Sequence, residues 1–187
     1  LRIERYETIM DSGGAGLHRG GNGLSVAYRF LADGTIGIHD ERWLTYPWGV
    51  LGGDTGMRST KRIVRSDGSE QWLPAKAEGI KVQAGDLLYF NTWGGGGWGN
   101  PLERDPELVR ADVERRLVSQ RGARRYGVVI AADGSVDSAA TTALRAEMAA
   151  ARSEQPALFN FGGSVEELRS RCQAETHLPA PVAPTFR

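Results

Sequence analysis

Cysteine is almost missing from this chain of 187 residues: Cys172 stands alone, so no internal disulfide and no Cys-based zinc site can be built. Histidine is scarce too, and His18, His39 and His177 are scattered without the spacing of a metal motif. Neither charge is in excess. Lys plus Arg and Asp plus Glu number 23 each, which removes the electrostatic case for nucleic acid or an anionic membrane as partner. No apolar run approaches the roughly 20 residues needed to cross a bilayer, and no basic segment leads into an apolar stretch like a signal peptide. These absences lead to the expectation of a cytoplasmic protein. The remainder is ordinary for a soluble domain, with 40% hydrophobic and 25% charged residues.

Glycine is abundant and unevenly placed: 20 of the 25 fall in residues 1–99. That half should therefore be rich in turns and close backbone approaches. Its apolar segments are short and alternating, at 24–31, 35–39, 61–65, 71–74 and 79–82. Asp33-Gly34 and Asp67-Gly68 read as hairpin turns, and Gly85-Asp86 as a turn between two strands. Residues 1–9 already alternate like a strand and begin with Leu, which suggests a larger functional unit. After residue 102 the period becomes helical. Asp105-Pro106, Ser119 and Asp137 read as helix starts, and Ser164 with Glu167 as a capping box. Leu108, Val109, Val113 and Leu117 should share one helical face; Leu144 with Met148, and Leu168 with Cys172, should mark two more. The expected fold class is α+β: a β-rich sandwich or barrel-like domain over 1–102, a helical region over 103–178, and a Pro-rich tail over 179–187.

Three clusters could carry chemistry. Around Asp11-Ser12-Gly13-Gly14 the backbone amides could converge on an anion, but no Walker ending and no helix follow, so a structural turn is the commoner reading. Asp11 and Arg19 could pair to pin that loop, or Arg19 could hold a substrate carboxylate. Ser12 lacks a nucleophile elbow, and His18 is its one nearby base in sequence. Arg42 precedes Trp43, Tyr46 and Trp48 and could stack on one of them. Gly94, Gly95, Gly96 and Gly97 are consecutive. So costly a run implies close approach of another backbone or a ligand, with a strand–helix crossing the simplest version. His39 and Glu41 could share a strand face, more simply as surface residues. The arginines at 115, 116, 121, 124 and 125 are balanced by acids and read as a solvated or partner-facing surface.

In this order the clusters resemble one family. Asp11-Ser12-Gly13-Gly14-Ala15-Gly16, Arg19-Gly20-Gly21, Pro47-Trp48-Gly49, Gly52-Gly53, Gly85-Asp86 and the stretch 94–106 are similar to the C-terminal region of the hydantoinase B family. Tyr126-Gly127-Val128-Val129 and the residues from Cys172 to Pro181 extend the likeness. That family includes B subunits of ATP-dependent N-methylhydantoinases and caprolactamases, the second half of 5-oxoprolinases, and subunits of acetone and acetophenone carboxylases. The resemblance implies part of an ATP-dependent complex that hydrolyses cyclic amides or carboxylates ketones, with the hydrolase label the broader. It also implies a hydantoinase-A-type subunit and an upstream B-type polypeptide as partners in a hetero-oligomer acting on a small-molecule substrate. ATP with Mg, and a divalent metal such as Mn or Zn, would be held there, with no cofactor bound by this chain. Phosphorylating a lactam or enolate oxygen turns a poor electrophile or a fleeting enolate into an activated species. Asn100 stands where the resemblance leads one to expect Asp, and His177 where it leads one to expect Gly.

Asp11, Ser12, Arg19, Arg42 and the four consecutive glycines are the expected substrate or interface residues. The sequence identifies no catalytic residue. The alternative is a stand-alone, non-catalytic binding or scaffold module with a groove of aromatic and glycine residues.

Overall fold

The computed structural model describes residues 1–152 and 156–182, so the last part of the Pro-rich tail lies outside the described residues. Eight strands come first: β1 (Arg2–Thr8), β2 (Leu24–Arg29), β3 (Gly34–His39), β4 (Gly49–Val50), β5 (Thr60–Val64), β6 (Glu70–Trp72), β7 (Lys76–Val82) and β8 (Leu87–Asn91). Then follow α1 (Pro106–Glu114), α2 (Gln120–Ala123), α3 (Ser138–Ala150), β9 (Phe159–Asn160) and α4 (Val165–Thr176). The α+β order expected from glycine content and periodicity is the order observed. Among the described residues, no helix is long and apolar enough to cross a membrane.

Strands β1-β2-β8-β5-β6 form one antiparallel sheet, and β3 with β7 forms a second. Alternation aims Ile63, Leu88 and Tyr28 to one face, where they meet Phe30, Ile38, Ile80 and Val82 in a common core. Ile63 is wholly buried, a contribution of about 2–3 kcal/mol. On the opposite face the register aligns Arg5, Ala27, Tyr89, Arg62 and Trp72 in a row across all five strands. Arg62 lies 5.0 Å from the Tyr89 ring and 5.6 Å from the Trp72 ring, and Arg5 lies 5.8 Å from Tyr89. On this face cation–π stacking flanks the buried Ala27.

Asp67-Gly68 is the expected hairpin turn, joining β5 to β6 with Gly68 at φ +84°. Asp33-Gly34 is not a hairpin. It carries the chain from β2 in the large sheet to β3 in the small one, because β2 has its partners in β1 and β8. Gly85-Asp86 makes the return crossing from β7 to β8. There the Asp86 carboxylate accepts from the amides of Gln83 (2.9 Å) and Ser66 (3.2 Å) and from Arg65 Nη1 (2.8 Å).

The helix starts are where the caps place them. Asp105, Ser119 and Asp137 each accept an amide of the first turn, and Ser164 and Glu167 form the reciprocal box. Gly127 at φ +64° ends the turn after α2. Two apolar faces differ from expectation. Leu108 is 53% exposed while Val109 is buried, and Leu117 lies beyond the end of α1. On α3 Thr141 is the buried residue, its hydroxyl accepting from the Val129 amide (3.1 Å), and Leu144 and Met148 are half-buried beside it. A hydrogen bond chose the buried position there, and apolar periodicity does not report it. On α4, Leu168 and Cys172 are buried as expected.

The glycine-rich half and the helical half are interlocked. β9 pairs with β4, Asn22 Nδ2 donates to the Leu117 carbonyl (2.8 Å), and Ala15 joins Val109, Val118, Ala123, Tyr126 and Val128 in a second core.

Burial alone would raise the Asp86 carboxyl, but the Gln83 amide, the Arg65 guanidinium and the Ser66 amide overcome it and hold it below the usual carboxylate range. The unfolded chain then binds this proton more readily than the folded one. Stability from Asp86 is complete above about pH 4 and is lost as pH falls through the lower folded value. Asp86→Asn should lower the urea-unfolding free energy at pH 7 by about 1–2 kcal/mol and flatten its decline in acid; an unchanged acid limb in the variant refutes the assignment.

Candidate functional site

Between the strands of the sandwich run three glycine-rich segments that form no regular sheet but lie against one another. Gly14 N donates to Gly95 O (2.8 Å), Gly95 N to Gly21 O (2.7 Å), Gly97 N to Asp54 O (2.8 Å), and Asp54 N to Ala15 O (2.7 Å). The spacing leaves no room for side chains. A Cβ at Gly94 would stand 1.9 Å from Ser12 O, at Gly96 1.6 Å from Trp48 O, and at Gly97 2.0 Å from Ala15 O. Gly95 is less confined, its nearest neighbour being Gly21 N at 3.0 Å. The four consecutive glycines thus meet other backbone, as one of the two expected gains. The segments they meet are loops around residues 12–15 and 48–54, not a strand–helix crossing. The amides of Gly14, Gly95 and Gly97 are engaged by carbonyls within the bundle and do not converge on an anion.

Asp11, Ser12 and Arg19 sit on this bundle in holding roles. Asp11, at φ +63°, accepts the Ser119 amide through Oδ1 (2.8 Å) beside the start of α2. The Asp11–Arg19 pair does not form. Arg19 instead lies 3.3 Å from Asp112, without hydrogen-bond alignment at Nε, and donates to Gly20 O (2.7 Å) and Asn22 Oδ1 (2.6 Å). Arg104 Nη2 reaches the same Asp112 carboxylate at 2.9 Å, so a buried acid on α1 is shared by two guanidiniums. Ser12 is buried, donates to Ile9 O (2.6 Å) and accepts the Gly23 amide (2.9 Å). His18 packs on Trp98, ring centroids 5.3 Å apart, and gives Ser12 no base. Arg42 stacks over Trp48 at 5.1 Å, one of the roles its sequence neighbours suggested.

Arg125, read from sequence as surface, donates to Asp11 O (3.3 Å) and Gly13 O (3.2 Å). Tyr126 beneath it is pushed up to about 12 by burial, against the pull of Arg125, Arg19 and Arg104, and is a neutral phenol at physiological pH. Under α4, Arg58 meets Glu175 and the Trp43 carbonyl. Near it Lys61, Asp40 and Ser59 form a buried polar cluster. Burial lowers the Lys61 ammonium below its ordinary value, and the Asp40 carboxylate offsets only part of that. His39 pairs with Glu78 of β7, not with Glu41. Among the described residues, no three His, Cys, Asp or Glu side chains come together as a metal-ligand set.

A cleft of about 420 Å³ opens where the bundle meets α3, lined by Leu17, Leu51, Trp98, Asn100, Glu103 and Arg152 among others. Trp98 is 44% exposed there. Leu51 is held at φ +50° by bonds from its own amide to Leu158 O (2.9 Å) and from Gly53 N to Val50 O (3.1 Å). A left-handed leucine costs on the order of 1–2 kcal/mol. With 43% of its surface exposed, burial does not offset that cost. Asn100 Oδ1 accepts the Leu102 amide (3.1 Å), while its Nδ2 lies 3.4 Å from Glu103 Oε1. The sequence flagged Trp98, Asn100 and Glu103 within one stretch, but Leu51 and Arg152 join them only in three dimensions.

Two substitution series separate structural from chemical roles. Gly96→Ala should cost more than about 3 kcal/mol or abolish folding, whereas Gly21→Ala, with open space around its Cβ, should leave thermal stability unchanged or raised. Asp11→Ala should cost about 1–2 kcal/mol, and Asp11→Asn, which keeps an acceptor and tolerates positive φ, much less. Urea unfolding checks both; full stability of Asp11→Ala would show that the Ser119 contact is not its role.

The comparisons with known proteins come from sequence and from structure. The family profile described as Hydantoinase B/oxoprolinase matches residues 1–101. Caprolactamase subunit beta of Pseudomonas jessenii is 38% identical over 151 residues, covering 77% of this chain and 26% of that protein. The crystal structure of the ATP-dependent caprolactamase from Pseudomonas jessenii superposes with a TM-score of 0.62 at 32% identity, over 77% of this chain and 26% of that one. A nucleotide-free acetone carboxylase structure, from a study of ATP-dependent acetone carboxylation, gives 0.62 over 92% of this chain and 27% of that one; at 23% identity the likeness is one of fold. The chain spans about a quarter of the length of the B-type relatives it matches, and 8–9% of the 5-oxoprolinases. With more than half its length under the family profile, and with the motifs of that match forming the glycine bundle, the chain belongs to the Hydantoinase B/oxoprolinase family.

Proposed function

We propose that the chain is part of a B-type subunit in a cytoplasmic, ATP-dependent, hetero-oligomeric enzyme that hydrolyses cyclic amides. The observation that carries this reading is the shared fold and sequence with the ATP-dependent caprolactamase. The ketone-carboxylase reading has the broader superposition behind it but little sequence identity. In this division of labour the chain supplies a rigid glycine framework and a cleft. The nucleotide with Mg, and a divalent metal such as Mn or Zn, belong to a hydantoinase-A-type subunit and to the upstream B-type polypeptide. One feature supports placing the nucleotide elsewhere: the amides of Gly14, Gly95 and Gly97 are engaged by carbonyls within the bundle. Every residue of β1 is exposed, including Ile3 and Tyr6, which suits a strand covered by further polypeptide better than a stand-alone binding module.

Native mass spectrometry of the protein isolated from its own source should find it bound to a large nucleotide-binding subunit and a B-type polypeptide. The assembly should hydrolyse ε-caprolactam or hydantoin only with ATP present. A solitary monomer without ATP-dependent turnover would overturn the reading, and bicarbonate-dependent consumption of a ketone would move it to the carboxylase branch.

A further inference from the structure

The cleft between Leu51 and Trp98 is not explained by packing. Leu51 is forced into the left-handed region yet stays half exposed, and it faces a cavity of about 420 Å³, within the usual range for small-molecule sites. The Trp98 indole, steadied by His18, offers a flat apolar wall. Among its lining residues stand a donor and an acceptor side by side. Asn100 has committed its Oδ1 to the Leu102 amide, and its Nδ2 makes only a long contact, 3.4 Å, with the Glu103 carboxylate. The donor and acceptor are thus close together but poorly joined. A secondary amide held cis presents its C=O and N–H on one edge, and a small ring forces that geometry.

We propose that this cleft binds a small ring carrying a cis secondary amide. The ring N–H donates to Glu103, its carbonyl accepts from Asn100 Nδ2, and its methylenes lie between Trp98 and Leu51. The inference rests on the cyclic-amide reading above and names where such a ring is recognised. It differs from a generic apolar cleft in requiring the ring N–H.

Calorimetric and saturation-transfer NMR titrations of the full chain with ε-caprolactam and N-methylcaprolactam test it. Caprolactam should bind, and the N-methyl derivative should bind roughly five- to tenfold more weakly, having lost one hydrogen bond. Trp98→Ala and Leu51→Gly should each weaken caprolactam binding by a similar factor. Leu51→Gly also relieves the left-handed strain, so its Tm should not fall, and a binding loss in that variant is not misfolding. Absent binding, equal binding of the N-methyl derivative, or unchanged affinity in both variants overturns the proposal. If the assembly hydrolyses caprolactam with unchanged KM in both variants, the cleft assignment falls and the hydrolase reading stands. If cleft binding follows the expected pattern but nothing is turned over, the hydrolase reading falls and the site stands.

Discussion

A single methyl group at position 96 would lie 1.6 Å from the Trp48 carbonyl carbon's oxygen, well inside any permissible contact. Similar closeness recurs at Gly94 and Gly97, so three segments distant in sequence are locked together by main chain alone. Everything else is arranged around that constraint. The sandwich holds the segment ends: β2 and β8 lead out of and into the bundle, and β4 lies within it. Ala15 carries the bundle into the second core with Val109 and Tyr126. The entropy lost by so many glycines must be offset, and these shared hydrogen bonds and the two flanking cores are what offset it.

Charge completes the fastening. Asp112 between Arg19 and Arg104, Arg125 on the carbonyls of Asp11 and Gly13, and Arg58 with Glu175 each tie a helix-region group to the glycine-rich half. In the largely buried set around Asp112, removing the carboxylate leaves Arg19 and Arg104 uncompensated, which is more costly than the pairing is favourable. The residues that looked from sequence like substrate contacts, Asp11 and Arg19, are placed among these fastenings.

Strands, caps and their order were legible because each depends on neighbours within a few residues. Asp105 before Pro106 and the Ser164–Glu167 box are local signals, and alternation in 61–65 is visible without tertiary knowledge. What the sequence hid is non-local. Asp33-Gly34 has a hairpin's composition, and only the partners of β2 make it a crossover. Thr141 gained its burial from a bond to the Val129 amide, which no hydrophobic pattern encodes. The density of glycine announced close approach, but not that the neighbours would be residues around Ser12 and Trp48. The cleft was the least visible feature, since Leu51, Arg152 and the stretch from Trp98 to Glu103 lie on separate segments.

The glycine bundle also has no rotamers. Side-chain repacking is the usual means by which a protein adjusts to what it touches, and a surface of bare backbone lacks it. Where the bundle forms the floor of the cleft at Gly52 and Gly99, the shape is fixed by covalent geometry and hydrogen bonds. Any accommodation there falls to a few rim side chains. Over evolution, selectivity at this floor can change through the rim or through chain length, but hardly by substitution of the floor itself.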